Sequence, residues 1–243
     1  MCTLLEQSLL IDIDFTNHQL NCISTYKLKL THPSPTYTLH LSALQIEITK
    51  INIDSTCQKV KLKNSSFPDP KKQSEFLSKL IDETLNFETY MSVLNFLENG
   101  KFKSLNENER IMITLDADEN FNETEIFISI EYILKQPVAG VRFLHFQRNE
   151  KLEKYLYSQC HSPCAKYWIP VLNDFSEKEI FFGKFKIIVP LGYYAITSGR
   201  LEEKIESEEE EKMAFVYNIC NFSVFYCIQL IFFRLTKKIF FFR

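Results

Sequence analysis

Glycine is scarce in this chain, with five residues among 243. Most turns must therefore come from Asn, Asp, Ser and Pro, each of which favours a turn for its own conformational reason. An export signal is also lacking, because "MCTLLEQSLLIDIDF" has no basic start, apolar centre and small-residue cleavage site. The seven cysteines follow no regular spacing. We expect free thiols, a reducing compartment and a fold that depends on its apolar core.

A basic surplus is absent as well, since the formal net charge is -3. Residues 201–213 carry seven Glu and two Lys (-5), and residues 214–243 carry four Lys or Arg (+4), which leaves -2 for residues 1–200. A domain that binds nucleic acid by neutralising phosphates needs a cationic face. The main body of the chain shows no such surplus, so any DNA contact would be local or shared with partners.

The histidines do not form a zinc peptidase signature. Such enzymes hold zinc with two imidazoles one helical turn apart in an H-E-x-x-H sequence, whose Glu activates water. The histidines of this chain, none followed by Glu and none spaced by four, are His18, His32, His40, His145 and His161. We predict no catalytic, cofactor-binding or metal-binding residue, no cofactor and no small-molecule substrate.

The stretch "CHSPCAKYWIPVLNDF", residues 160–175, contains the densest group of reactive side chains. Cys160, His161 and Cys164 offer one half of a zinc site, but no matching pair occurs elsewhere in the domain. On a strand His161 would point away from Cys160, so no base activates that thiol. We interpret the cysteines as ordinary thiols, and "AKYWIPVL" as a strand whose Tyr167, Trp168 and Ile169 pack internally.

Period-two alternation dominates the chain up to about residue 62 and returns after residue 110. "SLLIDIDFTNHQLNCISTYKLKLTH" alternates on both sides of a polar Thr-Asn-His segment, which predicts a β-hairpin. "TYTLHLSALQIEITKINID", "RIMITL", "EIFISIEYIL" and "EIFFGKFKIIVPLGYYAITSG" supply further strands. We predict a mainly β fold, a sandwich or saddle of antiparallel and mixed sheets.

One segment breaks this pattern. After "NSSFPDPKKQ" the apolar residues of "SEFLSKLIDETLNFETYMSVLNFLENG" recur at helical spacing, with Ser74 as a candidate N-cap and Gly100 as a candidate stop. We predict a helical insertion at about residues 71–105 within a β domain that spans residues 1–201.

The stretch "AKYWIPVLNDFSEKEIFFGKFKIIVPLGYYAITSGRL", residues 165–201, resembles the end of the N-terminal β domain of zinc aminopeptidases of the aminopeptidase N type. That pattern runs Ala-Arg-x-x-Phe-Pro-Cys-x-Asp, then a strand, then Ala-x-Ser-Asn-Gly-x-Leu. The matching positions are Ala165, Lys166, Pro170, Ala195, Gly199 and Leu201. Val171 replaces the family Cys, Asn173 replaces the Asp, and Thr197-Ser198 replaces Ser-Asn.

Within that superfamily the chain is most similar to a noncatalytic branch, the TBP-associated factors that form the second-largest subunit of TFIID. The likeness rests on "YWIP", on "LKQPVAG", on the insertion before "RIMITL" and on one longer stretch. That stretch, "YTLHLSALQIEITKINID", resembles the pattern IKLN-x-x-QC-x-I-x-x-V-x-IND. The resemblance covers roughly residues 8–201, with gaps at the insertion.

This resemblance implies a nuclear, noncatalytic scaffold that assembles with other TFIID subunits during preinitiation complex formation. It implies a role in core promoter binding through the full complex, with direct DNA contact left open. Peptidases of the superfamily place a Gln or Glu near this region to hold the substrate amine. We interpret Gln159, which lies close to that place, as a relic or coincidence. The alternatives are a truncated aminopeptidase-like protein without its catalytic domain and a membrane-anchored β domain.

The last part of the chain changes composition. We interpret residues 202–213, which contain "EEKIESEEEEK", as a solvated acidic loop. The apolar, aromatic segment 214–243 begins with twenty uncharged residues, a length that could cross a bilayer. Polar residues interrupt that run, and "MAFVYNI" resembles the next strand of the family. We therefore favour a read-through or alternative end beyond about residue 219 over a membrane anchor.

Overall fold

The described part of the chain is almost entirely β-strand. A computed structural model describes residues 2–30, 34–55, 60–72, 110–117, 124–148, 151–158, 164–172, 182–197, 199–207, 211–220 and 230–234. Across these residues the strands form one mixed sheet and two antiparallel sheets. The predicted mainly β fold with both kinds of sheet is confirmed.

Seven strands form the largest sheet. They are β1 (Cys2–Asp14), β2 (Gln19–Leu30), β4 (Glu47–Ser55), β7 (Thr124–Lys135), β11 (Phe182–Pro190), β13 (Arg200–Ser207) and β14 (Lys212–Cys220). Their order is β13-β14-β11-β1-β2-β7-β4, which we call sheet A. β1 and β11 run parallel, and the other neighbours are antiparallel.

Two four-stranded antiparallel sheets complete the fold. Sheet B contains β3 (Thr36–Ser42), β5 (Val60–Ser66), β6 (Arg110–Ala117) and β10 (Val171–Leu172), in the order β10-β3-β6-β5. Sheet C contains β8 (Val141–Arg148), β9 (Lys151–Ser158), β12 (Tyr193–Thr197) and β15 (Leu230–Arg234), in the order β12-β15-β9-β8. A 3-10 turn at Cys164–Tyr167 precedes β10.

The predicted hairpin at the start of the chain is present as β1 and β2. Its turn is held by Asp14, whose Oδ1 accepts hydrogen bonds from the Thr16 and Asn17 amides at 2.8 and 3.0 Å. The Asn17 amide is also the main cause that lowers the pKa of Asp14. His18 closes the turn at a φ of +51°, and its carbonyl accepts a hydrogen bond from the Gln136 amide at 2.9 Å. The β1–β2 turn is therefore fixed both by its own side chain and by the β7–β8 turn.

One contiguous core takes residues from all three sheets. Alternate side chains of β1, β2 and β7 point into this core, which is why apolar residues occur at every second position in the sequences of those strands. Trp168 is 1% exposed, although it belongs to no strand. Full burial of a side chain of this size contributes about 2–3 kcal/mol of transfer free energy.

The strand predicted across "AKYWIPVL" is wrong in its first half. Tyr167, Trp168 and Ile169 are all buried in succession, whereas a strand at a sheet surface would alternate between buried and exposed. The chain passes between sheets A and B here as a 3-10 turn and pairs with β3 only at Val171 and Leu172. Side chains bind the Tyr167, Trp168 and Pro170 carbonyl groups, and the Leu44 amide binds that of Lys166, so these groups do not need a strand ladder. The prediction that these three side chains pack internally is confirmed.

The acidic stretch 202–213 is not a simple loop. Most of it lies in β13 and at the start of β14, which pair with each other as an antiparallel hairpin. β13 is exposed along Arg200–Glu206, so its carboxylates stay in water while its backbone joins the sheet. The prediction that these acidic side chains are solvated is confirmed for β13. Hydration of the side chains does not prevent the backbone of β13 from pairing with β14.

The segment 214–243 contributes two strands. β14 lies between β13 and β11, and β15 lies between β12 and β9. The predicted helical insertion at about 71–105 lies outside the described residues, apart from Lys71 and Lys72. In the part of the chain that the structure describes, no helix has the length and apolar character needed to span a membrane.

Candidate functional site

Two buried tyrosines of sheet A hold the segment at residues 166–170. The Tyr26 hydroxyl, on β2, donates a hydrogen bond to the Pro170 carbonyl oxygen. The Tyr132 hydroxyl, on β7, donates to the Trp168 carbonyl oxygen at 3.1 Å. Both tyrosines are 1% exposed, so these hydrogen bonds are sheltered from water. Tyrosine suits the position because its ring fills the core while its hydroxyl satisfies a buried carbonyl group.

Gln45 joins three segments that are distant in sequence. Its Nε2 donates to the carbonyl oxygens of Ala139 at 2.7 Å and Tyr167 at 2.9 Å. Its Oε1 accepts a hydrogen bond from the Val138 amide at 3.0 Å. The neighbouring Leu44 amide donates to the Lys166 carbonyl oxygen at 2.8 Å. We call the contacts of Gln45 and Leu44 with the β7–β8 turn and the 3-10 turn the Gln45 junction.

The backbone of Gln45 shows why the chain changes sheets there. Its φ is +54°, a left-handed conformation that few residues other than glycine adopt. The β3–β4 link crosses from sheet B to sheet A at this residue. Gln45 is only 4% exposed, and the hydrogen bonds of its side chain offset the cost of this conformation.

Burial also suppresses ionisation in the core beneath this junction. Desolvation raises the pKa of the Cys22 thiol to about 12 and raises the pKa of the Tyr26 and Tyr132 hydroxyls. A thiol that stays protonated is a weak nucleophile. The tyrosines stay protonated as well, which they must do in order to donate hydrogen bonds to the carbonyl groups.

The second half of the family-like stretch has its own structural role. Gly199 has a φ of +139°, and a Cβ atom there would lie 2.9 Å from the Asn218 carbonyl oxygen. Ala195 is 2% exposed, and its carbonyl oxygen accepts a hydrogen bond from the Tyr217 hydroxyl at 2.8 Å. The close approach of β14 leaves no room for a side chain at Gly199, and Ala195 is buried beside Tyr217 of the same strand.

Large apolar side chains are exposed around β12 and β13. Tyr194, Ile196 and Leu201 are 37%, 40% and 38% exposed. The Lys204 Nζ lies 5.4 Å from the Tyr194 ring centroid and 5.5 Å from that of Phe215. We call Tyr194, Ile196, Leu201 and Lys204 the β12–β13 surface. Clustered exposed apolar side chains mark many protein contact surfaces.

The candidate residues from the "CHSPC" sequence are not all placed. Gln159, Cys160 and His161 lie outside the described residues, and the structure gives only the backbone of Cys164. Within the described ranges, no three side chains of His, Cys, Asp or Glu converge as a metal-binding group.

One pair of histidines does come together. The Nε2 atoms of His18 and His145 lie 3.0 Å apart, and the two ring centroids lie 4.8 Å apart. His18 also stacks on Phe143, with centroids at 5.1 Å. Partial desolvation is the main cause that lowers the pKa of His145, and the charges of His18 and Lys154 act in the same direction.

Sequence reasoning missed both Gln45 and the histidine pair. For Gln45 a signal existed, because the pattern IKLN-x-x-QC has a Gln four residues after its Leu, and Gln45 follows Leu41 at that spacing. For His18 and His145 no local signal existed, because 127 positions separate them.

Comparison with protein-family models and with curated proteins finds no match for the chain.

Proposed function

We propose that the chain is a noncatalytic β scaffold of the aminopeptidase N-like type that acts as part of a TFIID subunit in the nucleus. Its work is done by shape and surface contact, in assembly with other TBP-associated factors. Core promoter binding then follows from the complex as a whole.

The observation that carries this proposal is the position of the family-like residues in the fold. Pro170 and Lys166 present the carbonyl groups that Tyr26 and the Leu44 amide bind. Gln45 stands where the TFIID pattern has its Gln. These residues all stabilise the junction between sheets A and B, so each has a structural role that requires no reaction.

The rest of the stretch supports the same interpretation. Ala195 and Gly199 allow the close approach of β14, as their contacts with Tyr217 and Asn218 indicate. The mainly β fold, with one mixed and two antiparallel sheets, supports the proposal at the level of fold class. A scaffold built in this way keeps a rigid interior and leaves its sheet edges and exposed apolar groups for partners.

The test is recovery of partners from cells. We expect the tagged full chain to co-purify with TBP and several TBP-associated factors when the bound proteins are identified by mass spectrometry. Recovery of membrane proteins or peptidase subunits instead, with no TFIID component, would reject the proposal.

A paired variant sharpens this test. Tyr194→Asp with Leu201→Asp places charges on the β12–β13 surface, and we expect it to reduce recovery of TFIID components at least fivefold (~1 kcal/mol) if this surface binds partners. Lys61→Asp, at an exposed position of β5, is the matched control and should leave recovery unchanged. Both variants should unfold at the wild-type temperature, so a loss of recovery reports binding and not folding.

A further inference from the structure

His18 and His145 form an imidazole pair at the junction of sheets A and C. His18 ends the β1–β2 turn, and His145 lies on β8. Their Nε2 atoms are 3.0 Å apart; His145 is exposed and His18 is half-buried. A neutral pair at this distance shares one hydrogen bond, with one nitrogen as donor and the other as acceptor.

His18, the first member of the pair, is held from several sides. The His18 backbone is fixed by the Asp14 cap of its turn and by the hydrogen bond from the Gln136 amide. Its ring rests on Phe143, which meets Phe15 edge-on with centroids at 5.9 Å. Phe15 in turn stacks on Tyr193 at 4.5 Å. Ordering the His18 imidazole therefore costs little when a ligand binds, as in a preorganised site.

Two nearby imidazole nitrogens suit borderline divalent ions. Zn²⁺ binds His nitrogen at about 2.0–2.1 Å in tetrahedral geometry, so two such nitrogens lie roughly 3.3 Å apart on one ion. The observed separation is only a few tenths of an ångström shorter. A small rotation of the exposed His145 ring would be enough to admit the ion.

We propose that His18 and His145 form a two-histidine binding site for a borderline divalent cation of the Zn²⁺ or Ni²⁺ type. Water, or a donor group from a partner protein, would complete the coordination. The site clamps the β1–β2 turn of sheet A to β8 of sheet C, and its chemistry is independent of any peptidase reaction.

The surrounding charges limit how tightly the site can bind. Lys154 lies opposite His145 in the β8–β9 ladder, and its Nζ is 3.4 Å from the Phe15 carbonyl oxygen. A nearby ammonium repels a divalent ion. The Asp14 carboxylate keeps its negative charge and interacts with Lys154, which offsets part of this repulsion. Both of its oxygens already accept hydrogen bonds within its own turn, so we do not assign it as a ligand. We therefore expect a site of modest affinity that responds to Zn²⁺ but not to Mg²⁺, which prefers oxygen ligands.

Side-chain NMR of the histidines tests the proposal at the site itself. The full chain is titrated with Zn²⁺, with Mg²⁺ as the control ion, at pH 7.5 and low ionic strength. We expect the Nε2 signals of His18 and His145 to shift along one common binding curve. This readout separates the pair from cysteine thiols elsewhere in the chain.

Three variants set the expected outcomes. His145→Gln should weaken Zn²⁺ binding at His18 by ~tenfold or more, because one of the two protein ligands is gone. His40→Gln, in sheet B, should leave the curve unchanged. Lys154→Met should strengthen binding roughly threefold by removing the repelling charge.

The proposal is overturned if Zn²⁺ shifts neither signal at millimolar concentration. It is equally overturned if the two signals follow different curves, or if His18 responds as before in the His145→Gln variant. Because His145 is exposed, this variant should keep the fold, and a wild-type unfolding temperature would verify that.

Discussion

The Tyr26 hydroxyl and the Pro170 carbonyl oxygen, 144 positions apart in sequence, form a buried hydrogen bond between sheet A and the segment that leads into sheet B. Proline supplies no amide hydrogen, so residue 170 can take part in backbone hydrogen bonding only through this carbonyl group. The tyrosine thus satisfies the one polar backbone group that the proline presents in the core.

Replacing this tyrosine should be costly. Tyr26→Phe leaves the buried Pro170 carbonyl group without its partner, and we expect the free energy of unfolding to fall by about 1–3 kcal/mol. Urea denaturation measures this change. Tyr157→Phe, at an exposed position of β9, is the control and should change stability by less than about 0.5 kcal/mol. Equal effects of the two changes would contradict a special role for the Tyr26 hydroxyl.

The Gln45 junction makes a second prediction. Gln45→Ala removes the hydrogen-bond partners of Ala139, Tyr167 and Val138, and it keeps a side chain at a left-handed φ. We therefore expect the free energy of unfolding to fall by about 2–4 kcal/mol. Gln147→Ala, on the exposed side of β8, should be close to neutral. Thermal unfolding followed by circular dichroism compares the two. A neutral result for Gln45→Ala would show that water replaces its hydrogen bonds.

Alkaline pH should destabilise the fold through its buried acids. The Cys22 thiol has its pKa raised to about 12, so between about pH 9 and pH 12 the unfolded chain loses this proton while the folded chain keeps it. Stability is then fully present below about pH 9 and falls as the pH rises through that window. The buried Tyr26 and Tyr132 act in the same direction.

Urea denaturation between pH 7 and pH 11 measures this dependence. In Cys22→Ala the decline of unfolding free energy with pH should be shallower than in the wild type, whatever the stability of the variant at pH 7. An identical slope would mean that Cys22 does not couple to folding.

The strand β15 predicts the effect of shortening the chain. A chain that ends at Cys220 lacks this strand, which lies between β12 and β9, so two strand edges are left unpaired in sheet C. We expect the free energy of unfolding to fall by about 3 kcal/mol, and we expect the shortened chain to self-associate through those edges. A chain that ends at Arg234 keeps β15 and is the matched control. Size-exclusion chromatography and urea denaturation should separate the two.

This comparison also bears on the interpretation of the segment beyond about residue 219 as a read-through or alternative end. If the two truncated chains are equally stable and monomeric, β15 contributes nothing to the fold. If only the longer chain is stable and monomeric, the segment up to Arg234 is an integral part of sheet C. Transcript sequencing across the junction then establishes whether the message is continuous.

The spacing of apolar residues predicted where the strands occur, but beyond the β1–β2 hairpin it did not predict which strands pair with each other. The alternation of β1 and β2 and the polar turn between them define a hairpin by themselves, because consecutive strands with a short link pair with each other. The same kind of pattern in β11 and β12 does not say that these strands lie in different sheets. Nothing local could predict that β1 and β11 run parallel across more than 170 positions.

The sequence by itself determined that the described part of the chain is mainly β, that its core is built from alternating apolar residues and that the carboxylates of β13 stay in water. These properties follow from side-chain hydrophobicity and spacing, which act over a few residues. Tertiary structure alone decided that Tyr26 meets Pro170, that Gln45 joins three segments and that His18 meets His145. Such contacts depend on where distant strands are placed, and a placement is fixed only when the whole core packs.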